Sequence, residues 1–303
     1  MVGTLSHLSD PFTTTNTRLF PSNPLLLSSS TYVLSHLNRL LSPTSMDSNS
    51  PFDSLLFDLD DTLYSSNIGF GDATKRNIDD FLVEKCGFEQ RKASALRVQL
   101  FKTYGSTLAG LRSLGYDVDV DDYHRIVHGR LPYHLIKPDP QLRNLLLSIS
   151  QRKIIFTNSD RDHATKALNL LGIEDCFDQI ICFETMNPNL FNSKSSSPLE
   201  FPVVLKPSLK AINIALDVAE VDPSRTLFLD DNVRNIAAGK VVGLRTVLVG
   251  KKTTTKEADY ALEKINNLMH VVPEIWVKRK ENNALKCILN DLNSTMNSTH
   301  VNA

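Results

Sequence analysis

Cysteine is scarce: among 303 residues there are four, Cys86, Cys176, Cys182 and Cys287, and no two stand in a CxxC spacing. That argues against a zinc ribbon, a dithiol redox centre or a disulfide framework. Three of them fall in apolar segments, where reduced, packed thiols of a reducing compartment are expected. No uninterrupted apolar run approaches the roughly eighteen residues of a membrane span. Neither sign of charge is in excess, since 33 Lys and Arg against 34 Asp and Glu give a formal net charge of −1. Such a balance offers no general attraction for a nucleic acid polymer or an anionic membrane surface. What remains is an ordinary globular composition, 41% hydrophobic and 22% charged. Its length suits one large domain or two modest ones, and nothing in it fixes an oligomeric state.

Acids are also scarce at the start of the chain. Across residues 1–50 they are limited to Asp10 and Asp47, against Arg18 and Arg39, while Ser and Thr recur throughout. This stretch reads as a disordered leader or a possible transit peptide, with the folded part beginning near Phe52. The expected location is cytoplasmic, or plastid or mitochondrion if residues 1–50 act as a transit peptide.

The segment after this leader is different. Leu55-Leu56-Phe57 reads as a strand buried on both faces, as in a parallel sheet. It runs straight into Asp58-Leu59-Asp60-Asp61-Thr62. Carboxylates clustered at a strand end repel one another unless a cation lies between them, and hard oxygen ligands suit Mg²⁺.

From 67 to 137 the apolar spacing is helical. Ile78, Phe81 and Leu82 precede Cys86-Gly87; Leu96 and Leu100, then Leu108 and Leu111, continue the pattern; Asp121 to His128 gives a further helix. Asp139 before Pro140 predicts an N-cap with proline in the first turn, for a helix through Ser148. Strands then return at Ile154-Ile155-Phe156, Gln179 to Phe183, Thr226 to Leu229 and Gly243 to Val249, with helical faces such as Ala164, Leu168, Leu171 and Ile212, Leu216, Ala219 between them. The pattern predicts an α/β fold, a doubly wound parallel sheet with a helical cap inserted after the first strand. The core takes 51–66 and 138–276, the cap 67–137, and a flexible C-terminal tail 277–303.

Reactive side chains stand at three strand ends, Asp58 and Asp60, Thr157, and Asp230 with Asp231, and Lys206 lies between the last two. In parallel neighbouring strands these groups meet in one crevice. Their types suit phosphoryl transfer. One carboxylate can attack phosphorus, a divalent cation offsets the charge, lysine and threonine hold phosphate oxygens, and a second carboxyl group protonates the leaving oxygen and then activates water.

In this order the residues resemble the four motifs of the haloacid dehalogenase-like (HAD) hydrolases, over about residues 52–276. Phe57-Asp58-Leu59-Asp60-Asp61-Thr62 is similar to the first motif, Phe156-Thr157-Asn158-Ser159 to the second, Lys206 in Leu205-Lys206-Pro207 to the third, and Phe228-Leu229-Asp230-Asp231-Asn232 to the fourth. The resemblance implies Asp58 as nucleophile, Asp60 as general acid/base, and Lys206 as the third catalytic residue. It implies phosphate binding by Thr157 and Asn158, and Mg²⁺ held by Asp58, the Asp60 carbonyl, Asp230 and Asp231. An acid at 60 favours a phosphatase, since an alkoxide leaving group needs a proton and a halide does not.

Within that superfamily, Asp122-Tyr123-His124 and Leu131-Pro132-Tyr133 through Ile136-Lys137-Pro138-Asp139-Pro140 resemble the pyrimidine 5′-nucleotidase-like branch, which implies UMP- or CMP-type substrates. Arg130, Tyr133 and Lys137 then become candidates for the leaving group. Other small phosphorylated metabolites (a sugar phosphate, phosphoglycolate, lysophosphatidate) are the alternatives. A phospho-acceptor signalling module and a non-catalytic interaction protein are the remaining ones. The i, i+4 pair His124 and His128 has zinc-like spacing but only His134 as a nearby third ligand, so polar cap residues are expected. Arg161 and His163 read as surface residues at a helix start.

Overall fold

The computed structural model describes residues 50–192 and 199–277. The expected leader up to residue 49, the serine run 195–197, Cys287 and the tail from 278 lie outside the described residues.

Six strands form one sheet: β1 Ser54–Phe57, β2 Arg152–Phe156, β3 Gln179–Ile181, β4 Thr226–Asp230, β5 Arg245–Val249 and β6 Tyr260–Leu262. The order is β3-β2-β1-β4-β5-β6 and every pairing is parallel. The α/β doubly wound parallel fold read from the alternating pattern is the one observed. In register, Leu56 lies between Ile154 and Phe228. Successive residues feed opposite cores, with Leu55, Phe57, Ile155, Leu227 and Leu229 on one side and Leu56, Ile154, Phe156 and Phe228 on the other. Strands apolar on both faces require helices on both faces, hence the unbroken apolar runs rather than alternation.

Two strand readings differ from the structure. β3 stops at Ile181, because Cys182 caps a helical turn Phe183–Met186. β6 spans three residues, too short for any periodicity to mark it as a strand.

After β1 come four helices, α1 Phe70–Glu84, α2 Gln90–Tyr104, α3 Thr107–Ser113 and α4 Val120–Val127. They bury their apolar faces against one another around Phe81, Leu100, Leu111 and Tyr123, in a core to which Phe183 is also added. The chain returns through α5, Pro140–Ser148, where the Asp139 carboxylate accepts the Leu142 amide at 2.9 Å. Helix α6, Arg161–Leu171, follows β2; Asp160 caps it and Gly172, at φ +71°, ends it in a left-handed turn that glycine takes at no steric cost. Helix α7, Leu209–Ala219, precedes β4, and α8, Val233–Val241, follows it.

β1 lies between β2 and β4, so the chain winds outward in both directions from this pair. The carboxyl ends of strands around such a switch point flank a crevice, the usual ligand position of open α/β sheets. No helix among the described residues is long and apolar enough to cross a membrane.

Candidate active site

The crevice is built by three strand ends. Asp58 follows β1, its amide donating to the Leu229 carbonyl at 2.9 Å. Thr157 follows β2, and Asp230 is the last residue of β4. Lys206 reaches them from the segment before α7. Its Nζ donates to Asp58 Oδ1 at 2.7 Å, to Asp230 Oδ2 at 2.8 Å and to the Phe156 carbonyl at 2.7 Å. That satisfies all three ammonium donors, and the side chain is only 1% exposed. Thr62 Oγ1 donates to Asp58 Oδ2 at 2.7 Å, so both oxygens of Asp58 are oriented.

Asp58, Asp230 and Asp231 each offer an oxygen within 4.8 Å of the others. One lysine cannot neutralise three acids. Burial, and then Asp230, Asp231 and Asp60 against the opposing effect of Lys206, hold the Asp58 carboxyl well above its ordinary value. Burial together with Asp230 and Asp61 pushes Asp231 up to about 7. Lys206 itself is held above its usual range, because Asp230 and Asp58 outweigh burial. The lysine gains from the cluster while Asp58 does not, as expected where two negative charges remain in excess. A divalent cation fits that deficit, and the donor set is all oxygen. Asn235 Nδ2 adds bonds of 3.0 and 3.1 Å to Asp230, and its buried Oδ1 has no partner among the described residues.

Asp60 is turned another way. A tight turn, with the Leu63 amide on the Leu59 carbonyl at 3.0 Å and Asp61 at φ +62°, directs its carboxylate away from the trio. Oδ1 accepts from His163 Nε2 at 2.7 Å and from the Tyr64 hydroxyl, and Oδ2 accepts from Ser159 Oγ at 2.8 Å. Burial alone would raise this carboxyl group. The His163 ring beside it and the bonds from His163 and Tyr64 outweigh burial and hold it well below the usual carboxylate range. His163, lowered by burial but raised more by Asp60, ends above its ordinary value. Reading His163 as a surface residue is therefore corrected, for it is 1% exposed. It falls four residues before Ala167 and eight before Leu171, on the buried stripe of α6, a spacing that marks it in the sequence.

Thr157 is buried and its Oγ1 accepts the Ser159 amide at 3.0 Å. The Asn158 side chain clamps the Lys206 backbone from both sides, at 2.8 and 3.0 Å. Arg130 instead pairs with Glu84 at the surface, 2.9 Å away, and Tyr133 donates or accepts at His163 Nδ1, 2.9 Å away. His124 is buried, and burial with neighbouring His128 lowers it to about 3. His128 bonds to Asp160. These histidines do not join the acidic trio.

Two cavities lie near Asp60, and one of them is lined by it. One, of about 460 Å³, has Asp60, Asn158 and Ser159 at its floor and Phe70, Ile78, Tyr123 and Phe183 among its walls. The other, of about 530 Å³, is polar and is lined by His163, Tyr133, Asp160, Lys166 and Glu184. His124 and His128 border both.

Fold and crevice together define a doubly wound α/β protein in which a lysine-braced aspartate follows a central strand. A family model for haloacid dehalogenase-like hydrolases matches residues 52–243, and the chain belongs to that family. A relative, Phosphate metabolism protein 8 of Saccharomyces cerevisiae, is 27% identical over 232 residues, covering 73% of this chain and 69% of that one. Pyrophosphatase PpaX of Bacillus velezensis is 29% identical over 123 residues, covering 39% of this chain and 50% of its own length. Among solved structures, a HAD phosphatase from Thermococcus onnurineus is similar with a TM-score of 0.49 and 16% identity, over 72% of this chain and 97% of that one.

Proposed function

We propose that the protein is a Mg²⁺-dependent phosphomonoester hydrolase that works through an aspartyl-phosphate at Asp58 and takes pyrimidine nucleoside 5′-monophosphates as substrates. The observation that carries the reading is the bracing of Asp58. One oxygen is held by Lys206 and the other by Thr62, at a strand end shared with Asp230 and Asp231.

In this reading Asp58, Asp230, Asp231 and the Asp60 carbonyl would hold Mg²⁺, whose charge would offset the repulsion between an anionic phosphate and an anionic nucleophile. Asp58 forms a bond to phosphorus as the bridging P–O bond breaks. The electron pair goes to the leaving oxygen, which takes a proton from the Asp60 carboxyl group. Water then attacks phosphorus, returns a proton to Asp60, and frees Asp58 and inorganic phosphate. Asp60 is low in the free protein, but an anionic phosphate beside it disfavours its charged form and raises its proton affinity. Thr157 and the Asn158 backbone take phosphate oxygens, and Lys206 holds Asp58 in line.

The four helices over the crevice act as the cap and exclude bulk water from the intermediate. The aromatic-walled cavity beside Asp60 favours a leaving group with flat apolar faces, such as a nucleoside. The name of the PpaX relative favours phosphorus–oxygen hydrolysis over dehalogenation. Tyr133 borders the polar cavity, so its part in substrate binding is indirect, and Arg130 is not among the residues lining either cavity.

The test is phosphate release by the full chain from nucleotides, sugar phosphates, phosphoglycolate and lysophosphatidate, with Mg²⁺ and with EDTA. UMP and CMP should be preferred, EDTA should stop turnover, and Asp58→Asn should lower kcat by at least about 10³-fold, as loss of a covalent nucleophile does. An active Asp58→Asn protein would sink the mechanism. Preference for another phosphomonoester would sink the nucleotidase reading alone.

A further inference from the structure

We propose that His163 is the positioning residue for Asp60, fixing which of its two oxygens handles the proton. The inference rests on the phosphatase reading above and adds to it a residue outside the four motifs. A carboxylate oxygen has two lone pairs. Oδ1 of Asp60 receives two donors, His163 Nε2 and the Tyr64 hydroxyl, and is filled. Oδ2 receives one among the described residues, Ser159 Oγ, and keeps a position open.

The cavities agree with this division. Asp60 and Ser159 border the aromatic-walled cavity, whereas His163 borders only the polar one. His163 therefore touches Asp60 from behind. It meets no substrate, and Oδ2 is the oxygen presented to the leaving group.

The ring is itself held. Its side chain is fully buried. Nδ1 meets the Tyr133 hydroxyl at 2.9 Å, so Nε2 is the nitrogen left to serve Asp60. Tyr133 lies under Lys166, whose Nζ is 3.8 Å from the ring centroid. The His163 ring also lies 4.9 Å from that of His128, and His128 bonds to Asp160, the cap of α6. A side chain locked by its own neighbours holds a partner within the small tolerance proton transfer requires.

The experiment compares kcat/KM for a series of aryl phosphates, from 4-nitrophenyl to 4-methoxyphenyl phosphate, with wild type, His163→Leu, His163→Gln and Tyr133→Phe. This ratio reports steps up to departure of the leaving group. A 4-nitrophenolate leaves without a proton; a 4-methoxyphenolate needs one. His163→Leu should lower kcat/KM about 10- to 100-fold for 4-methoxyphenyl phosphate, within the range of general-acid effects, and less than about 3-fold for 4-nitrophenyl phosphate. His163→Gln, whose amide nitrogen can stand near Nε2, should recover most of the loss. Tyr133→Phe should steepen the same dependence more weakly.

Equal losses across the series, or a Gln variant no better than Leu at unchanged Tm, would overturn the assignment while leaving the phosphatase reading intact. If His163→Leu does not fold, Tyr133→Phe decides: a series parallel to wild type overturns the proposal. No phosphate release by the wild type from any aryl phosphate or from UMP, CMP and the other phosphomonoesters would overturn both readings.

Discussion

At the scale of single residues, Lys206 is the most constrained group in the crevice, with three acceptors and almost no exposure. Replacing it with alanine leaves Asp58 and Asp230 buried without their shared cation. Breaking a buried ion pair from one side costs about 3–5 kcal/mol. Protonation of Asp58, already favoured by burial, should reduce that cost at low pH. Lys206→Ala should therefore lose about 3 kcal/mol in urea unfolding at pH 8 with EDTA, less at pH 5, and be inactive at both. A loss that does not change with pH would contradict the excess of acids over lysine. Asp58, Asp230 and Asp231 are legible in the sequence because each stands at or just past the end of an apolar strand, where residue type and position coincide, whereas Lys206 is marked only by its place before a helix between two of those strand ends. Tyr64, Ser159 and His163 are less so. Their part depends on which way the turn at Asp61 points Asp60, and the local pattern around Asp60 does not encode that direction.

At the scale of elements, the four strands with apolar runs and the capped helix start at Asp139 follow from local rules. β6 escapes them because its pairing with β5, not its own three residues, makes it a strand. Close packing of α8 on the sheet is likewise set by a single missing side chain. A Cβ on Gly239 would lie 2.7 Å from Cδ1 and 3.3 Å from Cε1 of Phe228, a fully buried residue of β4. Alanine is the better helix former by up to about 1 kcal/mol, whereas overpacking costs about 1–3 kcal/mol. Phe228 has little room to retreat between Leu56 and the helices, so overpacking should win. Gly239→Ala should be destabilised by about 1–2 kcal/mol in urea unfolding, with the m-value unchanged. A stabilised variant would mean that α8 can slide on the sheet.

At the scale of the whole molecule, the excess of acids links metal binding, pH and stability. Asp58 and Asp231 are raised in the folded protein, whereas an unfolded Asp titrates near 3.9. Between that value and about 7 for Asp231, the folded state binds more protons than the unfolded one. Stability then falls as pH rises, by the linkage relation. His163, also raised, contributes stability that is lost in the same direction. His124, lowered to about 3, contributes the opposite slope, but only up to the ordinary histidine value. Asp160 is held low by its bond to His128, against burial, so its contribution is lost only in stronger acid. A cation bound by the trio counters the first effect alone, and histidine effects cancel in the difference between Mg²⁺ and EDTA. The rise in Tm on adding Mg²⁺ should be small at pH 5 and larger at pH 8. Saturation to 100 times Kd corresponds to about 2.7 kcal/mol. Asp231→Asn should flatten the dependence, because it removes an acid whose charging opposes the folded state within that range. Equal Mg²⁺ shifts at pH 5 and pH 8, or a shift that persists undiminished in Asp58→Asn with Asp231→Asn, would show that the cation binds elsewhere and that the strand-end acids are not its ligands.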